Sequence, residues 1–330
     1  MTPAPRQRGI RPPGRSDSSR PVPSGPEFHA PSPPIRIRAG YLPIIAAAVL
    51  WGSLGVAGRI AFRFGVTPLE AAFFRAAISS ALLLPAMLIA DSAALRVRPR
   101  DLGLFAAFGL ISIAVFFFVY LFAIERASIA TAAILLYTAP AFVVILSALV
   151  FGEDLSWAKV AAIVLAFAGC VLVVRGYDLR ALRLSLPGIL AGLASGFTYA
   201  MYSIFGKTAL RRYSPFTTLA YALGFGAVFL GAVAIPAGVV RLSHPPQGWW
   251  AIVYLAVVTT LLAQALYLSG LRQVEAGRAS LAATLEPVVA AVLGFVLLGE
   301  VLDTWQIVGG ALVLTAVCAV GLIPRTGAGA

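Results

Sequence analysis

Two charged residues of this chain lie inside long apolar runs, where they could carry chemistry. Glu286 stands directly before Pro287 in the run 278–298, and Arg75 lies within the run 67–90. A charged group among apolar residues is costly unless it is neutralised, paired or hydrated, so it usually has a specific role. Glu286 could hold a proton or a substrate amine beside a proline kink, and Arg75 could bind a substrate carboxylate. The alternative for both is an interaction that only stabilises the fold.

Polar and aromatic side chains recur at helical spacing in several of the apolar runs. Thr260, Gln264 and Tyr267 lie at positions i, i+4 and i+7, which predicts that they share one helix face. A polar face has no reason to contact lipid, so we expect it to line a cavity. The candidate cavity residues are Trp51, Tyr120, Tyr137, Tyr199, Tyr202, Thr260, Gln264, Tyr267 and Thr284. They predict an amphipathic pocket for a small zwitterion or aromatic solute, with interhelical hydrogen bonding as the alternative for each residue.

Other acidic residues and a glycine series are expected to serve architecture. Glu153 and Glu300 each follow a glycine at a helix junction, where they could cap the following helix or hold the loop. Glu70 lies near the end of its run, and we expect it to pair with another helix or to extend to the membrane interface. The glycines at four-residue spacing, which allow helices to approach closely, are Gly188, Gly192 and Gly196.

The sequence contains no arrangement typical of an enzyme, a metal site or a nucleotide site. Cys170 and Cys318 stand alone in apolar runs, and Glu153-Asp154 is the only adjacent pair of acids. The two histidines lie in the N-terminal region and in a loop, and no GxxxxGK[ST] motif occurs. We therefore expect a protein that is not an enzyme, with no catalytic residue, no metal and no cofactor.

The elements that position these residues are predicted to be membrane-spanning helices. Of the 330 residues, 60% are hydrophobic and 12% are charged, whereas soluble domains are about 45–50% apolar and about 25% charged. This composition excludes a soluble globule and a disordered chain. A spanning helix needs about 20 apolar residues. Ten runs of about that length follow one another, at 42–62, 67–90, 102–123, 128–151, 157–175, 186–206, 215–238, 249–270, 278–298 and 304–323.

The N-terminal region differs from the rest of the chain in composition. Residues 1–38 carry seven arginines, two acids and ten of the 22 prolines. This predicts a disordered basic tail over 1–39 rather than a nucleic-acid-binding module, because Phe28 is the only aromatic residue there. With the tail in the cytoplasm, seventeen Lys and Arg residues fall on the inner side and seven on the outer side. Both termini are therefore expected to be cytoplasmic.

The chain also contains an internal repeat. At a shift of 147 residues, Pro140 aligns with Pro287 and Gly152-Glu153 aligns with Gly299-Glu300. The opening helices align at a shift of 144 residues. Each repeat contains five of the ten runs, and an odd number of crossings predicts that the second repeat is inverted in the membrane. Inverted repeats are typical of alternating-access carriers with a site near the midplane.

These motifs resemble the EamA-domain branch of the drug/metabolite transporter superfamily. The matching residues are Trp51-Gly52-Ser53, Arg75, Ala139-Pro140 and Gly152-Glu153 in the first copy, and Leu285-Glu286-Pro287-Val288 and Leu298-Gly299-Glu300 in the second. The resemblance covers residues 40–323. It implies an all-α membrane protein with ten transmembrane helices in two inverted five-helix EamA repeats, at 40–176 and 186–323.

The resemblance further implies a secondary transporter that exports or imports small metabolites such as amino acids through a central cavity, without fixing the substrate. Among these, we expect export of amino acids or related compounds across a bacterial inner membrane. The expected partners are a small-molecule substrate and the lipid bilayer, without nucleic acid. A monomer is the simplest assembly, with an oligomer as the alternative. The competing functions are a multidrug efflux carrier and, from other classes, a channel or a membrane-embedded enzyme.

Overall fold

The computed structural model describes residues 39–322 except 181, 183 and 184. The predicted tail lies outside these residues, apart from residue 39. Every regular element in the described ranges is helical. The α-helices are α1 Tyr41–Gly52, α2 Leu54–Arg63, α3 Pro68–Asp91, α4 Leu102–Gly109, α5 Phe116–Arg126, α6 Ile129–Leu136, α7 Ala139–Phe151, α8 Trp157–Val173, α9 Leu186–Leu210, α10 Pro215–Ala234, α11 Pro246–Ala256, α12 Ala263–Leu271, α13 Ala276–Ala283, α14 Glu286–Leu298 and α15 Thr304–Leu322.

Eight helical segments of the described chain are long and apolar enough to cross a membrane. They are Tyr41–Arg63, Pro68–Leu95, Pro99–Arg126, Ala130–Phe151, Leu186–Leu210, Pro215–Ala234, Pro246–Leu271 and Ala276–Leu298. The other two predicted runs coincide with the shorter apolar helices Trp157–Val173 and Thr304–Val320. A helix of 17 residues is about 26 Å long, slightly less than the hydrocarbon thickness of about 30 Å.

Several of the long segments are interrupted. The breaks between α6 and α7 and between α13 and α14 lie just before Pro140 and Pro287, which cannot donate a backbone hydrogen bond to the preceding turn. Two π-helical turns, Leu110–Val115 and Val257–Leu262, join α4 to α5 and α11 to α12. Interruptions of this kind place polar backbone and side-chain groups in the middle of otherwise regular helices.

The helix boundaries repeat along the chain at the shift of 147 residues that the sequence indicates. The two π turns are separated by this number of residues, and so are the starts of α3 and α10 and of α7 and α14. Gly152 and Gly299 end α7 and α14 with the same left-handed conformation, at φ 68° and 69°. The opening helices differ, because α1 and α2 are separated at Ser53 whereas α9 is continuous.

Glycines allow helices of the two repeats to approach closely, because glycine has no side chain. A Cβ atom added to Gly169 in α8 would lie 2.7 Å from the carbonyl oxygen of Gly309 in α15, and the reverse distance is also 2.7 Å. In α9, a Cβ at Gly192 would lie 2.5 Å from Leu135 Cδ1 of α6. The predicted packing role of the α9 glycines is confirmed, because a Cβ atom at Gly188 would lie 2.8 Å from Ala127 Cβ and one at Gly196 would lie 2.6 Å from Thr138 Oγ1.

Contacts between helix termini define two ends of the bundle. At one end, Arg212, just after α9, pairs with Asp101, with Nη1 3.1 Å from Oδ1, and the carboxylate of Glu153, just after α7, accepts a hydrogen bond at the start of α13. At the other end, Arg59 of α2 pairs with Glu300 after α14. We refer to these as the Glu153 end and the Glu300 end.

A buried charge network holds the Glu153 end together. Glu275, just before α13, lies 2.7 Å from Nζ of Lys159 in α8 and 2.9 Å from Nε of Arg278. The Lys159 side chain is only 3% exposed and also donates to the carbonyl oxygen of Asp154 at 2.6 Å. Burial by itself raises the pKa of Glu275, but the hydrogen bonds and charges of Lys159 and Arg278 outweigh it and hold that pKa below its usual value.

The glycine contact predicts a sharp difference between two neighbouring positions. Gly309→Ala should lower the free energy of unfolding by about 1–3 kcal/mol, because its methyl group would overlap the α8 backbone. Gly310→Ala is the matched control, since its nearest neighbour outside the helix backbone, Val288 Cγ1, is 3.6 Å away. Thermal unfolding of the purified protein in detergent measures both variants. Equal stability of the two would contradict the close approach of α8 and α15.

The charge network predicts a pH-dependent loss of stability. Glu275→Gln should destabilise the protein by about 3 kcal/mol at neutral pH, because it leaves the buried Lys159 ammonium without a counter-charge. The lowered pKa of Glu275 means that its stabilisation is complete above the ordinary glutamate pKa and is lost as the pH falls through the folded-state pKa. Thermal unfolding curves of parent and variant should therefore converge in acid. Glu125→Gln, with a side chain that is 70% exposed, should match the parent at every pH.

Candidate functional site

Glu286 is the first residue of α14 and directly follows the break after α13. It is half-buried, and its charge acts on Arg75 and on the hydroxyl groups of Tyr120, Tyr137 and Tyr199. These side chains come from four different helical segments, so the break in one span brings predicted site residues from both repeats together. Among the described residues, no side chain forms a hydrogen bond or an ion pair with the Glu286 carboxylate.

Arg75 is half-buried in α3 and is held by the second repeat. Its Nε donates to Thr260 Oγ1 at 2.8 Å, and its guanidinium carbon lies 5.7 Å from the centre of the Phe117 ring. Thr260 lies in a π turn and donates in turn to the carbonyl oxygen of Leu255 at 2.8 Å. The predicted contact of Arg75 with another helix is therefore a hydrogen bond. The terminal nitrogens of the guanidinium group have no protein partner in the described ranges.

A second group of predicted residues packs as an aromatic cluster. The Trp51 and Tyr267 ring centres lie 5.2 Å apart, the Tyr202 and Tyr267 centres 6.1 Å, and the Phe108 and Tyr202 centres 4.9 Å. The Tyr267 hydroxyl shares a hydrogen bond of 2.7 Å with Ser203 Oγ. Trp51, Tyr202 and Tyr267 are all buried. This hydroxyl of Tyr267 is therefore already used by the fold.

The candidate residues differ in how their polar atoms are satisfied. The Tyr202 hydroxyl and Gln264 Oε1 are buried and lack a partner in the described chain. Such atoms are costly, so a buried polar atom without a partner calls for an explanation. Thr284 is the opposite case, because this buried residue directly follows α13 and its Oγ1 donates to the carbonyl oxygen of Leu281, near the end of that helix, at 2.6 Å.

Glu153 makes a contact that its sequence position does not indicate. Its carboxylate accepts hydrogen bonds from the backbone amides of Ala276 at 2.7 Å and Gly277 at 3.2 Å, at the start of α13. The expectation that it caps the following helix is wrong, because Ser156 caps α8 by accepting from the Lys159 amide at 3.3 Å. Glu153 instead ties the first repeat to a helix of the second repeat.

The Glu300 end contains a cavity of about 560 Å³. Its lining includes Arg59, Arg175, Ala291, Glu300 and Gln306. Arg175 adopts a left-handed backbone conformation, at φ 59°, which costs a non-glycine residue about 1–2 kcal/mol. Its guanidinium group compensates by donating to the Val301 carbonyl oxygen at 3.0 Å and to Gln306 Oε1 at 3.2 Å. The charged rim of this cavity is thereby held in place.

Glu70 is fully buried, so the expectation that it extends to the interface is wrong. It forms a capping box with Thr67 at the start of α3. Its Oε1 also accepts from the Arg241 amide at 2.6 Å and from His244 Nε2 at 2.8 Å. The local signal was the spacing of Thr67 and Glu70, which is that of a capping box before an apolar run. The partners in the loop after α10 have no such local signal.

Comparison with known proteins identifies the family. The sequence matches the EamA-like transporter family over residues 38–175 and again over 186–322. A transporter without an assigned substrate from Archaeoglobus fulgidus is 32% identical over 285 residues, which cover 85% of this chain and 96% of that protein. A protein of Streptantibioticus cattleyicolor named "Probable terminal-alkyne amino-acid exporter" is 29% identical over 224 residues, which cover 67% of this chain and 74% of that protein.

A solved crystal structure shows the same fold. It superimposes with a TM-score of 0.73 at 21% identity and covers 85% of this chain and 95% of its own. Family and relatives are transporters rather than enzymes, and the helices of the described chain are those of a multi-pass membrane protein. The chain belongs to the EamA-like transporter family.

Proposed function

We propose that this protein is a secondary transporter that exports amino acids or related zwitterions across a bacterial inner membrane by alternating access. In this proposal ten helices cross the membrane as two inverted five-helix repeats, and both termini and the Glu153 end face the cytoplasm. The repeated helix boundaries support the two-repeat arrangement, and the excess of Lys and Arg on one side supports the orientation. Energy would come from an ion or substrate gradient.

The observation that carries this proposal is the pair of opposite charges at Arg75 and Glu286. Both residues lie within apolar segments and act on one another electrostatically, yet neither takes part in an ion pair with a described residue. An α-amino acid carries a carboxylate and an ammonium group. It could therefore bind the guanidinium group of Arg75 and the carboxylate of Glu286 at the same time.

The surroundings of the two charges also suit an amino acid. Thr260 and Phe117 hold the Arg75 guanidinium in one orientation, which reduces the entropy lost when a carboxylate binds. The tyrosine rings near Glu286 offer faces that attract an ammonium group. A single cation in this region is a poor match for a doubly charged phosphate. The named amino-acid exporter among the relatives supports the same substrate class.

The aromatic cluster is proposed to contact the side chain of the substrate. The Tyr202 hydroxyl can donate a hydrogen bond and Gln264 Oε1 can accept one, and both are left unsatisfied by the protein. Trp51, Tyr120, Tyr137, Tyr199 and Tyr267 supply apolar ring surface. Thr260 has a positioning role through Arg75, and Thr284 belongs to the proposed site only through its place beside Glu286.

The function is tested with purified protein in proteoliposomes, by counterflow of each of the twenty amino acids with and without a pH gradient. We expect saturable counterflow of one or a few amino acids. Transport that never saturates and shows no counterflow would identify a channel. Preference for hydrophobic cations over every amino acid would identify a multidrug carrier.

Ligand analogues test the two charges separately. Arg75→Gln should weaken binding of the transported amino acid by about 10- to 100-fold, because a charge-assisted hydrogen bond is lost. The amine that lacks the carboxylate should bind equally weakly to parent and variant. Glu286→Gln should likewise weaken binding of the transported amino acid. The N-acetylated amino acid, which lacks the ammonium group, should bind equally weakly to the parent and to this variant. Arg63→Gln, which changes an exposed arginine, is the control. An equal loss of affinity for the amino acid and for both analogues would exclude the proposed contacts.

The buried Tyr202 hydroxyl and Gln264 Oε1, which lack a partner among the described residues, predict that their substitution changes substrate selectivity but not protein stability. Tyr202→Phe and Gln264→Leu should change the ranking of substrates with polar side chains without lowering the unfolding temperature, since no hydrogen bond within the protein is lost. Tyr267→Phe is the matched control, because it removes the bond to Ser203 and should cost about 1 kcal/mol of stability. Unchanged substrate ranking in the first two variants would remove both residues from the site.

A further inference from the structure

Equivalent glutamates of the two repeats make different contacts. Glu153 and Glu300 are related by the shift of 147 residues, and so are the starts of α6 and α13. Glu153 binds the first two amides of α13, which belongs to the other repeat. If Glu300 behaved equivalently, it would bind the first amides of α6. In the described chain it instead forms its side-chain contact with Arg59.

The packing around the two glutamates differs in the same way. At the Glu153 end α7 lies against α13, and a Cβ added to Gly277 would be 2.8 Å from Val144 Cγ2. The residue equivalent to Val144 is Ala291, which lines the 560 Å³ cavity at the Glu300 end together with Glu300. The α7 surface at Val144 is therefore packed against α13 at one end of the molecule, whereas the equivalent α14 surface at Ala291 lines a cavity at the other end.

We propose that Glu153 and Glu300 are alternative latches that decide which end of the transporter is closed. In the present state Glu153 binds the start of α13 and keeps the Glu153 end closed. In the other state Glu300 leaves Arg59 and binds the first amides of α6, while Glu153 releases α13. This proposal rests on the alternating access proposed above, but not on the identity of the substrate.

The chemistry of the latch suits an exchange between two states. A carboxylate at a helix N-terminus gains charge-assisted hydrogen bonds and a favourable interaction with the helix dipole. Breaking such a contact at one end while forming the same contact at the other leaves the energy of the two states nearly equal. A carrier requires this, because a state that lies far above the other is too rarely populated to support transport.

The Arg59 contact has a lesser role in this scheme. The Arg59 and Glu300 side chains are 57% and 44% exposed, and exposed ion pairs contribute little to stability. Arg59 can therefore hold Glu300 away from α6 without preventing its release. The Glu153 carboxylate, in contrast, accepts from the two α13 amides.

Thiol accessibility tests the latch without any substrate. In a Cys318→Ser background, one reporter is Val144→Cys, in the closed contact, and the other is Ala291→Cys, in the cavity. Labelling with a water-soluble maleimide in detergent reaches both ends, and the slow background of buried Cys170 is subtracted. In the parent we expect slow labelling of the thiol at position 144 and fast labelling of the thiol at position 291.

The latch predicts opposite changes at the two reporters. Glu153→Gln should raise the labelling rate at position 144 by about fivefold to thirtyfold and lower the rate at position 291, because the two-state equilibrium moves toward the form closed at the Glu300 end. Glu300→Gln should lower the rate at position 144 by a similar factor, since it weakens the other state. If Glu153→Gln fails to fold, Glu300→Gln alone tests the proposal.

Specific outcomes would overturn the proposal. If Glu153→Gln raises the labelling rate at both position 144 and position 291, the variant has lost packing throughout the protein. If either variant leaves both labelling rates unchanged, the substituted glutamate does not act as a latch. Glu125→Gln, an exposed acid at the Glu300 end, should leave both rates unchanged. The two proposals fail separately: absent counterflow with reciprocal labelling rejects the transport function alone, and normal counterflow without reciprocal labelling rejects the latch alone.

Discussion

A charge inside an apolar helix bundle has to be compensated, and this requirement organises the molecule. Near the ends of the bundle the protein itself supplies the compensating group. The loop after α10 donates hydrogen bonds to the Glu70 carboxylate, and Glu275 is the counter-charge of Lys159. Near the middle, Arg75 and Glu286 are compensated only in part. The proposed function depends on this distinction, because it assigns the partly compensated charges to a ligand and the fully compensated ones to contacts between helices.

The breaks in the helices are what allow the middle of the bundle to be polar. Proline interrupts two spans at equivalent positions, and a π turn interrupts two others, one of which presents Thr260 to Arg75. The two repeats share these interruptions but differ in their partners. Repeated architecture with unequal contacts is what a molecule resting in one of two related states would show.

The helices, the repeat and the kinks could be predicted from the sequence because their signals are local: apolar runs, prolines and glycines at fixed spacing. The position of Glu286 and Arg75 inside apolar helical segments could also be predicted, since it depends only on the surrounding run; their role in binding stays a prediction. The partners of Glu153 and Glu70 could not, because they lie 123 and 171 residues away and depend on how the spans pack. Nor could the sequence show that the Thr284 hydroxyl donates a hydrogen bond to the end of α13 while the Tyr202 hydroxyl has no partner among the described residues.

The paired π turns have a consequence for which side chains each half turns toward its neighbours. Each π turn accommodates one residue more than a regular helix, and that residue rotates everything beyond it by about 100°. Without this rotation, Gln264 and Tyr267 would face a different part of the bundle relative to Thr260. The extra residue occupies matching positions in both halves. The same one-residue insertion therefore sets the orientation of the second part of the third span in each half, although the side chains that it turns toward the neighbouring helices differ between the halves.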